Sequence, residues 1–153
     1  MIGGMKRIVL ILGSAATGLA GWAVLHAQGT SAKTTSSDAL VYASADKAVF
    51  KAGPVNGVTS ATVWGDADTG PHAQFTKMAP GYDAGMHTHT STLGLLVLKG
   101  AYLYRDDAGD KRVGPGEFLR IPAGHKHWSG SDKTEGALFF EQGDGKFDLI
   151  PAK

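Results

Sequence analysis

Two pairs of histidines carry most of the chemistry this chain can offer. In "GMHTHTSTLGLLVLKG", residues 85–100, His87 and His89 stand one residue apart, and in "GEFLRIPAGHKHWSG", residues 116–130, His125 and His127 repeat that spacing. On a strand, residues i and i+2 point to the same face, so His87 and His89 make a bidentate imidazole arm while Thr88 faces away. Two imidazoles hold a metal weakly, and a third ligand usually comes from a neighbouring strand. The second pair, following a Pro-x-Gly turn, is placed to supply it. No cysteine is present, which excludes thiolate ligands, disulfides and a cysteine nucleophile, so a metal here is held by nitrogen and oxygen alone. Such donors suit one divalent ion of the Fe, Zn, Mn, Ni or Cu group, and sequence does not choose among them.

The elements that must position these residues are short strands. The 153 residues, 42% of them hydrophobic, suffice for one modest core. The 22 glycines and a charged fraction of only 19% favour turns and strands over long helices. Apolar or alternating runs such as "ALVYA", "AVFKAG", "GVTSATVWG", "HAQFTKMAPG", "LGLLVLKG", "AYLYRDDAGD", "GALFFEQGDG" and "KFDLIP" are separated by Gly-, Pro- and Asp-rich turn clusters, and none keeps a helical period over a dozen residues. The expected class is all-β, a small antiparallel sandwich or barrel.

The N-terminus reads as an address. "MIGGMKRIVLILGSAATGLAGWAVLHA", residues 1–27, has a short basic start at Lys6 and Arg7 and an uncharged stretch from Ile8 to Leu25, as a signal peptide or membrane anchor helix would. Residues 28–39, "QGTSAKTTSSDA", form a polar Ser/Thr-rich linker that should be flexible. The folded domain is expected over 40–153, outside the cytoplasm: periplasmic or secreted, or membrane-anchored if the first segment is retained. Setting aside Lys6 and Arg7 leaves 13 basic against 14 acidic residues, which offers nothing to a nucleic acid.

With both histidine pairs in view, the chain resembles the cupin superfamily. Gly81, five residues, His87-Thr88-His89 and Gly100 are similar to the first cupin motif; Gly116, five residues, Pro122, Gly124 and His127 are similar to the second. The match spans roughly residues 58–142. The resemblance implies a small antiparallel β-barrel, or jelly roll, whose mouth holds a divalent metal, with His87, His89 and His127 at three of four ligand positions. The fourth departs from the pattern: where the motif has glutamate, with three residues between it and His89, this chain has Leu93. His125 and Glu141 are the candidate fourth ligands, although His125 reads better as a rim or supporting residue and Glu141 as a strand residue facing water. His72 reads as a strand surface residue. Tyr102, Tyr104, Phe139 and Phe140 fit the barrel core or the wall of an aromatic pocket, and Trp128 should point away from His127.

Three-histidine cupins such as the cysteine and diketone dioxygenases make a metal-dependent dioxygenase acting on a small chelating substrate the first functional expectation. The alternative is a non-catalytic periplasmic metal- or ligand-binding or sensing module, resembling the cupin halves of zinc-containing anti-sigma factors; the absence of an evident acid or base beside the histidines favours it. A small-molecule ligand is the expected partner in either case. A homodimer is expected from the tendency of small β-folds to cover their edge strands.

Overall fold

The structure is a computed structural model, and it describes residues 39–153. The expected signal or anchor helix and nearly all of the linker lie outside the described residues. Eleven strands follow in chain order: β1 (Lys51–Ala52), β2 (Val58–Gly65), β3 (His72–Met78), β4 (Asp83–Thr88), β5 (Leu93–Gly100), β6 (Tyr102–Asp106), β7 (Gly109–Val113), β8 (Phe118–Ile121), β9 (His127–Ser131), β10 (Ala137–Gly143) and β11 (Ile150–Pro151). There is no helix among the described residues. Six strands form one sheet in the order β1-β2-β3-β10-β5-β8, and five form the other in the order β11-β4-β9-β6-β7. Every pairing is antiparallel.

The inner faces of the two sheets meet in a core. Leu95, Val97, Ile121, Ala137 and Phe139 of the six-stranded sheet pack with Tyr102, Tyr104 and Val113 of the five-stranded sheet, and the Tyr102 and Phe139 rings meet edge to face at 5.4 Å. Each large side chain removed from water here contributes on the order of 2 kcal/mol, which is what holds two otherwise separate hydrogen-bonded layers together. The four aromatics split: Tyr102, Tyr104 and Phe139 are core, while Phe140 lies half-buried on the outer face against Phe75.

Turns join these strands at the motif glycines. Gly100 has φ +68°, and a Cβ there would lie 2.2 Å from the Gly136 carbonyl oxygen, so no other residue closes the β5–β6 turn without moving backbone. One of these expected strands is corrected. "ALVYA" is not paired, and its large side chains find no core to cover, Leu40 being 97% and Tyr42 87% exposed. "AYLYRDDAGD" is a strand running into the expected turn, which is the tip of a hairpin closed by the Asp106 carboxylate accepting the Ala108 N–H.

Candidate metal centre

His87 and His127 are paired residues on neighbouring strands β4 and β9, so register alone sets their side chains together. His89 lies just past the end of β4 and returns to the same face. All three are buried, and one ring nitrogen of each lies within 4.8 Å of the others. The ring centroids are 4.9 Å apart for His87 and His89, 4.3 Å for His87 and His127, and 5.3 Å for His89 and His127.

Each ring is held by its Nδ1. His87 Nδ1–H donates to the Gly85 carbonyl at 2.9 Å and His127 Nδ1–H to the His125 carbonyl at 2.9 Å, while His89 Nδ1–H donates to the Asp148 carbonyl. Gly85, at φ +70°, sits where β4 shifts register against β9. A carbonyl partner on Nδ1 fixes the tautomer that leaves the Nε2 lone pair for a metal. His127 Nε2 is buried and has no hydrogen-bond partner within the protein. An orphaned acceptor in a core is unfavourable unless something fills it, and this nitrogen, grouped with a ring nitrogen of His87 and of His89, fits a divalent cation. Burial also favours the neutral form of two of the imidazoles: the His127 pKa is pushed down to about 4 and that of His87 is lowered, in both cases chiefly by desolvation. Neutral imidazole is the ligating form.

Two further segments brace the cluster. Gly124, at φ +73°, donates its N–H to the His89 carbonyl at 2.8 Å and so ties the second histidine motif to the first. The C-terminal segment closes over His89: the Asp148 carboxylate accepts from Thr90 N–H at 2.8 Å and Thr90 Oγ1 at 2.6 Å, the Phe147 ring lies 5.4 Å from the His89 ring, and β11 pairs with β4. In the sequence this segment carried only a strand signal, and nothing local marks Asp148 as a residue that supports a ligand 59 positions away.

The candidate fourth ligands lie elsewhere. His125 is at the rim, its side chain 41% exposed, with Nε2 bound to Asp106 Oδ2 at 3.0 Å. Asp106 also accepts from Tyr104 O–H at 2.9 Å, and the Tyr104 ring stacks on His127 at 5.2 Å. Thus Tyr104, expected as core or pocket wall, stacks on the His127 ring, and Asp106, which the sequence did not single out, holds Tyr104 and His125 in place. Glu141 corrects its expectation: it is 5% exposed and points inward from β10, but it binds Gln74 rather than joining the three histidines. His72 is corrected too, being 1% exposed on the inner face of β3. Leu93 is buried at the position where the family motif places its carboxylate. Trp128 turns away from the cluster, donating Nε1–H to Asp83 at 2.7 Å.

Two antiparallel sheets with a histidine cluster between them define a cupin fold, and similar solved structures share it. The polyketide cyclase RemF from Streptomyces resistomycificus superposes with a TM-score of 0.62 at 16% identity, over 75% of this chain and 87% of that one. KdgF from Halomonas sp. gives 0.53 at 17% identity over 66% and 92%. A chain of the complex of SigE with the anti-sigma ChrR from Rhodobacter sphaeroides gives 0.51 at 19% identity over 66% and 51%. At these identities the likeness is one of fold. No curated protein matches the chain. The chain belongs to the family described as a domain of unknown function, DUF4437, which matches residues 43–153.

Proposed function

We propose that this protein is an exported metal-binding cupin in which His87, His89 and His127 hold one divalent ion and a small chelating ligand completes its coordination, most plainly as the substrate of a dioxygenase. The observation that carries this reading is the set of three Nδ1-anchored imidazoles, with a buried Leu93 where the motif has glutamate. Because leucine cannot ligate, a three-histidine ion keeps open positions, and iron(II) held this way would offer them to a chelating substrate and dioxygen. The chain's own part is to keep the imidazoles neutral, oriented and dry. Export is supported by the basic start and apolar stretch of residues 1–27, which would place the domain in the periplasm or outside the cell.

The test is metal content of the full chain, purified without oxygen from its native compartment, beside His87→Ala, His89→Ala, His127→Ala and Thr88→Ala. The expected result is stoichiometric metal in the parent and in Thr88→Ala and loss in the other three. Equal metal in all variants removes the site. Oxygen uptake with a chelating substrate supports the dioxygenase reading, and bound metal without such uptake assigns a binding or sensing role instead.

A further inference from the structure

The inner face of the six-stranded sheet, which packs against the sheet that carries His87 and His127, holds a second buried polar group. Leu93, Gly143 and His72 form one row across β5, β10 and β3; Leu95, Glu141 and Gln74 form the next. His72 is built like the three histidines. Its Nδ1–H is shared between the carbonyls of Gly70 at 3.1 Å and Gly145 at 3.0 Å, and its Nε2 is buried without a hydrogen-bond partner. The imidazole lies over Gly143, where a Cβ would come within 2.5 Å of its Cε1, so the glycine makes room for the ring beside the row position of Leu93.

Glu141 completes the group. Its Oε1 accepts from Gln74 Nε2 at 2.8 Å and lies 3.8 Å from His72 Nε2, an ion-pair distance too long for a direct hydrogen bond. A carboxylate 5% exposed is costly unless paired, and a single amide donor is a sparse partner set. Among the described residues no other charged side chain contacts this pair, and Tyr102 from β6 is the titratable group whose phenol feels the Glu141 charge. The carboxylate missing at position 93 is thus present one strand away, coupled to an imidazole instead of a metal.

The geometry points to His72 and Glu141 as the acid–base pair of the site: when a chelating ligand binds, its hydroxyl proton passes, directly or through one water, to His72 Nε2, and the Glu141 carboxylate pairs with the resulting imidazolium. The O–H bond of the ligand breaks, the N–H bond at Nε2 forms, and the ligand's oxygen keeps the electron pair with which it chelates; Nδ1–H remains on its carbonyls throughout. This rests on the metal-centre reading above. The pKa of His72 is raised, first by its interaction with the Glu141 carboxylate 3.8 Å away and against the opposing effect of burial, as a proton acceptor here requires.

The experiment is calorimetric. The full chain is loaded with zinc and titrated with acetohydroxamic acid, a chelator that ionises on binding, in several buffers of different ionisation enthalpy, one pH unit above the His72 pKa read from its ring-carbon resonance. The comparison is His72→Asn, whose amide can still donate to the Gly70 or Gly145 carbonyl, with Glu141→Gln as a second variant. Parent protein should release close to no protons to buffer, with the His72 resonance moving to its imidazolium position; His72→Asn should release about one per ligand, and Glu141→Gln an intermediate number. Zinc held one to one with equal proton counts in parent and variants overturns this proposal alone. Failure of the parent to hold zinc overturns the metal centre and this proposal with it.

Discussion

Substituting Gly143 by alanine tests whether the His72 ring is held where the structure places it. The added Cβ would meet His72 Cε1 at 2.5 Å, Nδ1 at 3.1 Å and Nε2 at 3.2 Å. Carbon atoms pack best at about 3.5–4.0 Å, so the overlap with Cε1 is on the order of 1 Å. The ring cannot simply swing aside, being 1% exposed with Nδ1 bound to two carbonyls. Overpacking of this kind costs about 1–3 kcal/mol, and if the ring yields, loss of its carbonyl contact costs about 1 kcal/mol instead. Roughly 2 kcal/mol in a domain of this size lowers the melting midpoint by about 8 °C. In a His72→Ala background the obstacle is gone and Gly143→Ala should be close to neutral, giving a coupling energy of about 2 kcal/mol in a double-mutant cycle. Urea unfolding of the parent, both single variants and the double variant measures it. If Gly143→Ala has the same effect with and without His72, the ring does not lie over Gly143 and the packing argument for the His72–Glu141 pair fails.

Asp148→Ala should loosen the segment whose carbonyl holds His89 and weaken metal binding about 10–100-fold, read by competition with a chromophoric chelator; unchanged affinity would make the C-terminal segment a bystander. Leu93→Glu should restore a carboxylate ligand, raising metal affinity at least about tenfold while blocking the chelating probe, and a variant that still binds the probe would show that Leu93 does not border the ion. A pH effect follows from His72, whose folded pKa is raised above 6.5 chiefly by Glu141. The unfolded chain binds that proton less tightly, so the stabilisation is fully present below about pH 6.5 and is lost as pH rises through the folded value. The stability gap between parent and Glu141→Gln should therefore narrow as pH climbs from 6.5, measured by urea midpoints; a gap that widens would reverse the assignment.

Sequence by itself determined the parts of this protein that depend on local spacing. The i, i+2 pairing of His87 and His89, the glycines that turn the chain at 81, 100, 116 and 124, and the Pro122–Gly124 turn before His127 are legible because strand alternation and positive φ are local properties. Together they sufficed for an all-β reading and for the three histidines the fold brings together. Tertiary structure decided which face of each strand looks inward. In β3, His72, Gln74 and Thr76 face the interior while Ala73 and Phe75 are buried on the opposite face, so the alternation is inverted and a polar-out reading sends His72 to solvent. In β10, Leu138 and Phe140 cover the outer face, and a run apolar on both sides leaves no phase by which to place Glu141. Only the register of β10 between β3 and β5 puts that carboxylate beside Gln74 and His72. The support for His89 from Asp148 is equally nonlocal, since it depends on the chain returning along β4 at its very end. Short-range chemistry wrote the three clustered histidines into two motifs, whereas the His72–Glu141 pair exists only because two sheets, packed together, made an interior for both.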